Sequence, residues 1–216
     1  MIIPTILTDN IDEVKEKFGL LAGQVDRVQI DIIDGKFADN LTIAPVDLLG
    51  LEESKGFSLD FHLMVDDPVV LLDCNWPGST NQITGQIELM FSQIEFVRMA
   101  KEKGFSSGLA VDLETKITKL DIQALDLTDQ VLLLGVKAGF GCQTIDPAVL
   151  VKIRELAVWR QKEHWSFKIG VDGGIDETSL AFSHKMGAEE FFVGSAIWQS
   201  NDPVGMLGKL GKLINN

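Results

Sequence analysis

Two apolar runs of the chain end on a carboxylate: "RVQIDI" carries Asp31, and "FKIGVD" closes on Asp172. A carboxylate at the end of a buried strand gains nothing in stability unless it is paired or bound to a cation. Two such groups facing one another can do chemistry. A third run, "LDFHLMV", carries His62. Gln29, two residues before Asp31, is a neutral amide inside an apolar run. Asp34, three residues after Asp31, reads either as part of a site rim or as an acidic turn.

Three late segments are rich in glycine: "GFGCQ" (139–143), "DGG" (172–174) and "GS" (194–195). Taken together they suggest a phosphate site, in which backbone N–H groups and helix dipoles hold a dianion with no lysine required. Gly139, Gly141, Cys142, Gly173, Gly174, Gly194 and Ser195 are the candidate phosphate residues, and Gln143 is placed to orient the loop or the phosphate. Lys36 and Lys137 read as solvated rim lysines, and Cys74, His164 and His184 as structural or surface groups.

The elements that must position these groups follow from periodicity. Eight strand-length apolar runs, 1–7, 27–32, 59–65, 81–87, 107–112, 130–136, 167–172 and 190–195, recur along the chain. Most are apolar on both parities, as parallel strands covered on both faces must be. Between them, residues 9–23, 89–104, 146–163, 176–188 and 202–216 carry helical patterns, all but the second with Asp, Asn or Pro at their starts. In the second of these, Leu89, Ile94, Phe96, Val97 and Met99 share a face, and residues 71–79 are the least clear stretch. Strand and helix alternating eight times in 216 residues predicts a single (β/α)8 barrel domain over residues 1–216, with an open doubly wound sheet as runner-up. In such a barrel the site lies at the C-terminal ends of the strands, where all the groups above fall.

Composition narrows the partners. The chain is 45% hydrophobic with a formal net charge of −13. An acidic surface repels nucleic acid and anionic membranes, so neither is expected as a partner. No apolar run approaches the roughly 18 residues of a membrane span, and "MIIPTILTDN" lacks the basic start of a signal peptide. Two cysteines with no CxxC spacing read as reduced thiols, and a cytoplasmic location is expected.

The stretches "PTIL", "DIIDGKFADNLTI", "FHLMV", "GFGCQ", "VDGGI" and "VGSAI" resemble, in order and spacing, the ribulose-phosphate 3-epimerase family. The resemblance implies a barrel of the ribulose-phosphate-binding type with one divalent metal ion (Zn, Fe, Mn, Co or Mg), held by two histidines and two aspartates. It implies that the aspartates, matching Asp31 and Asp172, also act as acid and base in inverting C3 of a ketose phosphate, and that D-ribulose 5-phosphate becomes D-xylulose 5-phosphate through an enediolate. One metal histidine matches His62, and the other falls on Gln29, so the resemblance implies three good ligands, Asp31, His62 and Asp172, with Gln29 either a weak fourth through its carbonyl oxygen, which suits Mn²⁺ or Mg²⁺ better than Zn²⁺, or a hydrogen-bond partner of the substrate. Thr5 matches the family's serine in the first strand. Met64 matches one of three methionines flanking the substrate, the other two being replaced by Ile33 and Leu134. A family histidine before Glu88 is Gln86 here, and the phosphate loop has Ala138 and Cys142 where the family reads PGFGGQ. The family's oligomers imply a homo-oligomer. Because the departures cluster in the site, two alternatives stand beside epimerisation of this substrate: a sugar-phosphate binder with weak or no catalysis, and an epimerase for another ketose phosphate. Decarboxylases and aldol-type synthases of related barrels show DxKxxD in the second strand; Ile33 stands where their lysine would be.

Overall fold

The eight apolar runs become eight parallel strands that close on themselves in chain order in the computed structural model, which describes residues 1–214. They are β1 (Ile2–Ile6), β2 (Arg27–Ile33), β3 (Ser58–Met64), β4 (Thr80–Gln86), β5 (Ser106–Val111), β6 (Gln130–Leu134), β7 (Lys168–Asp172) and β8 (Glu190–Val193). Closure is made by β1 pairing with β8, Ile3 opposite Phe192. Nearly every strand residue is buried on both parities, because one face meets the barrel interior and the other meets the surrounding helices.

Full helices follow five of the strands. After β1 comes α1 (Ile11–Leu21), opened by the Asn10 side chain, which accepts from the Asp12 N–H. Single turns α2 (Pro68–Leu71) and α4 (Ile122–Leu125) follow β3 and β5, with α3 (Gln93–Glu102) after β4. Next come α5 (Ala148–Glu163) after β6 and α6 (Glu177–Met186) after β7. The short α7 (Ser195–Trp198) and then α8 (Pro203–Ile214) follow β8. The expected eightfold strand–helix alternation is therefore reduced at three connections. After β2 the chain makes only two 3-10 turns, Pro45–Leu48 and Glu52–Ser54. Their apolar residues do the work of a helix: Ile43, Leu48 and Phe57 are buried, and Phe57 stacks on Phe18 of α1 at 5.1 Å. Helix α3 starts at Gln93 rather than near Leu89, because the Ser92 hydroxyl accepts from the Glu95 N–H and fixes the first turn there. Leu89 thus lies outside the helix and is half exposed. Asp146 caps α5 by accepting from the Ala148 N–H, and the last two residues of the final helical stretch, 215–216, lie outside the described residues.

Hydrophobic packing is divided in two. A large cluster fills the layer between strands and helices, and a smaller one, including Ile3, Ile33, Met64, Leu132, Leu134 and Phe192, fills the barrel itself. Below that inner cluster the barrel is closed by a polar network. Arg27 donates to Asp60 at 2.5 Å, to Glu190 at 2.7 Å and to Gln82 at 3.1 Å. Gln130 bridges Gln82 and Glu190. Among the described residues, no helix is long and apolar enough to cross a membrane.

Candidate active site

Side chains alternate along a strand, so every second residue of β2 points into the barrel. Arg27 enters the lower network, Gln29 lies one layer above it, and Asp31 reaches the upper mouth. Asp31 is paired in register with His62 of β3. Asp172 ends β7, and the Gln29 amide reaches it from β2 within the barrel. Asp31, His62 and Asp172 each present one ligand atom, and these atoms lie within 4.8 Å of one another. His62 Nδ1 is 3.2 Å from Asp31 Oδ1 and 3.8 Å from Asp172 Oδ2.

Gln86 holds the Nε2 side of the histidine ring. Its amide satisfies its surroundings only with the carbonyl oxygen toward His62 Nε2 at 3.2 Å. Its nitrogen then donates to Glu88 at 2.7 Å and to the Ala110 carbonyl at 3.2 Å. The ring then carries a proton on Nε2, and Nδ1 faces the aspartates. Two carboxylates converging in a buried pocket repel one another unless a cation or a proton lies between them. The donor set of two carboxylates and one imidazole fits a divalent ion. Burial first, and the negative charge of Asp31 second, push the Asp172 carboxyl up to about 7. Gln29, only 1% exposed, turns its amide nitrogen to both carboxylates, 2.9 Å from Asp31 Oδ1 and 2.7 Å from Asp172 Oδ2.

Above this layer opens a cavity of about 410 Å³. Asp31, His62, Asp172, Thr5 and Met64 form its floor and wall. The expected phosphate residues Gly139, Gly141, Cys142, Gly173, Gly174, Gly194 and Ser195 line the same cavity. Gln29 lies beneath the lining. Two glycines are required by close approach. A Cβ on Gly174, whose φ is +70°, would stand 2.3 Å from the Ile145 nitrogen, and one on Gly194 would stand 2.7 Å from the Thr5 hydroxyl. Cys142 keeps a left-handed φ of 59° without being glycine, and its sulfur accepts from the Gln199 amide. Gln143 donates to the Lys137 and Phe140 carbonyls, so it holds the loop.

Asp34 belongs to a turn. Burial works to raise its pKa, but N–H groups of Asp66, Phe37 and Lys36 at 2.9–3.0 Å outweigh it and hold the carboxyl below its ordinary range. The clamp ties the loop after β2 to the end of β3, and Asn40 ties the same loop to the Gly139 carbonyl at 2.8 Å. Lys36 pairs with Asp66 in solvent. His164 ends α5 in the left-handed conformation and His184 meets the Ala188 carbonyl. Sequence reading missed Trp198, which lines the cavity and donates to the Thr5 carbonyl at 2.7 Å. It also missed Lys17, which lines the cavity, pairs with Glu13 and lies over the Trp198 ring at 5.0 Å. Both sit on outer helices, where no strand-end rule points.

The chain is similar to known proteins along its length. The family model described as the ribulose-phosphate 3 epimerase family matches residues 1–198. Ribulose-phosphate 3-epimerase of Buchnera aphidicola is 31% identical, covering 91% of this chain and 87% of its own. That of Escherichia coli is 30% identical, covering 94% and 90%. Among solved structures, 3-keto-L-gulonate-6-phosphate decarboxylase of Vibrio cholerae superimposes with a TM-score of 0.71 at 15% identity, covering 100% of this chain and 97% of its own. The 3-hexulose-6-phosphate synthase of Salmonella typhimurium does so with a TM-score of 0.65 at 15% identity, covering 99% and 98%. At those identities the two structures establish the shared barrel fold alone. The matched family model and the relatives at 30% identity or above go further: this chain belongs to the ribulose-phosphate 3-epimerase family, a family of isomerases.

Proposed function

We propose that the protein is a metal-dependent epimerase that inverts C3 of a ketose phosphate, converting D-ribulose 5-phosphate to D-xylulose 5-phosphate by two-base proton transfer. The observation that carries this reading is the buried pair Asp31 and Asp172, drawn together by the Gln29 amide beside His62 at the floor of the cavity. The C3 hydrogen of a 2-ketose is acidified by the neighbouring carbonyl. One carboxylate takes that proton, an enediolate forms, and the other carboxyl returns a proton to the opposite face. In the metal-free site, burial and the charge of Asp31 hold the Asp172 carboxyl up at about 7, which favours one proton shared between the two carboxylates. A divalent ion held by Asp31, His62 and Asp172 would supply positive charge for the enediolate oxygens. Gly173, Gly174, Gly194 and Ser195 line the cavity, and their backbone N–H groups would hold the phosphate, which suits a chain of net charge −13. Met64 lines the cavity where the sugar carbons would lie, and Thr5 supports the wall beside Gly194. A homo-oligomer in the cytoplasm is the corresponding biological setting.

The test is proton NMR of D-ribulose 5-phosphate in D₂O, with and without Mn²⁺, Fe²⁺, Co²⁺, Zn²⁺ or Mg²⁺. The expected result is metal-dependent deuterium entry at C3 together with xylulose 5-phosphate. No exchange with any ion in folded protein overturns the reading for this substrate. A second reading, a sugar-phosphate binder with weak turnover, draws on Gln29 standing between the two carboxylates; binding of the ketose phosphate without exchange would establish it.

A further inference from the structure

Gln29 differs from the other groups at the site in what it presents to them. Its amide nitrogen is 2.9 Å from Asp31 Oδ1 and 2.7 Å from Asp172 Oδ2, so the N–H₂ group bridges both carboxylates. The same Asp31 oxygen faces His62 Nδ1. An N–H₂ group has no lone pair for a cation. Gln29 could ligate only through its carbonyl oxygen, after a half-turn of the amide that breaks both bonds. Bonds from N–H to a carboxylate are about twice as strong as neutral ones, and both here are buried.

We propose that Gln29 is a positioning residue that holds Asp31 and Asp172 together by its own N–H groups and thereby competes with a divalent cation for them, rather than serving as a fourth ligand. The inference rests on the reading of Asp31, His62 and Asp172 as the ion-holding set. It gives the chain a weakly held, exchangeable ion and a carboxylate pair that keeps its geometry between ions.

The two roles of Gln29 predict opposite signs. Gln29→Met keeps the side-chain length and removes both donors; Gln29→Ala does the same if the methionine packs poorly. Calorimetric titration of wild type and both variants with Mn²⁺ and with Zn²⁺ at pH 8 reads the difference. A competitor, once removed, leaves binding tighter by about tenfold or more, since a hydrogen bond to a charged group is worth roughly 1.5–3 kcal/mol. A ligand, once removed, leaves it weaker. Unchanged or weaker binding in the variants overturns the proposal, as does no binding in any of the three proteins. A merely structural glutamine would not raise affinity on removal. The readout is independent of turnover: a wild type inactive on D-ribulose 5-phosphate, with variants that bind ions more tightly, would reject the proposed substrate and leave the inference standing.

Discussion

Replacing Arg27 by methionine should unfold the barrel from below, and by an amount the geometry sets. Arg27 lies 2.5 Å from Asp60 and 2.7 Å from Glu190, and both carboxylates are almost fully buried. Glu190 would keep Lys168 at 3.1 Å and Gln130 at 2.5 Å, whereas Asp60 would keep only Asn81 at 3.2 Å. The cost therefore falls on Asp60. Even with Arg27 present, burial pushes the Asp60 carboxyl up to about 6 from 3.8. Those two units correspond to about 3 kcal/mol spent at neutral pH on keeping it ionised in the fold. Without Arg27 the pKa rises further, and removing one partner of a buried pair costs about 3–5 kcal/mol. The sign with pH follows. A carboxyl whose folded pKa exceeds its unfolded value favours the fold when protonated, and that advantage is lost as pH rises through the window above 3.8. The variant's window extends higher than that of the wild type, so its deficit should shrink as pH falls. Urea unfolding followed by circular dichroism should show a loss of about 3–5 kcal/mol at pH 7.5 and roughly half of it at pH 5. A deficit below about 1 kcal/mol, or one that is equal at the two pH values, would refute the assignment of the cost to Asp60.

Asp172→Asn should lower epimerisation by about 10²–10⁴-fold while leaving deuterium exchange at C3 from the face that Asp31 serves; complete loss of both in folded protein would contradict separate faces. In metal-free protein the raised Asp172 pKa means that stability is lost as pH rises from 3.8 through about 7. The melting-point gain from added Mn²⁺ should therefore be larger at pH 8 than at pH 6, and thermal scans with chelator and with ion measure it. Cys142→Gly should relieve a left-handed backbone at φ 59° and stabilise the loop by at most about 1 kcal/mol, seen as a small rise in melting temperature. Asn40→Ala removes the tie to the Gly139 carbonyl, and steady-state kinetics should show KM for the sugar phosphate raised about fivefold with kcat little changed.

Strands were the most legible part of the chain, because a parallel barrel strand must be apolar on both faces and short, and nothing else in the sequence is both. The site residues followed from the strands: Asp31, His62 and Asp172 stand at their ends and meet in one pocket. The helices were less legible where they are missing. Residues 34–57 fill the helix position with separate buried side chains such as Ile43 and Phe57, which leave no 3.6-residue rhythm. Arg27 was hidden for another reason: its partners Asp60 and Glu190 lie 33 and 163 residues away. The direction of the Gln29 amide was also beyond sequence, since residue type allows either atom to face the aspartates.

The lower network has a consequence for how the chain comes to be folded during synthesis. Arg27 and Asp60 are made early, and Glu190 is among the last strand residues to leave the ribosome. Until β8 arrives, the arginine has one of its two counter-charges, the seam between β1 and β8 is open, and water has access to the barrel's base. A nascent chain stopped before β8 would thus hold a charged group it cannot bury, which favours release and delays commitment. The eighth strand therefore both closes the ring and supplies the charge that lets the first strands stay inside it, so that its arrival and the locking of the barrel coincide.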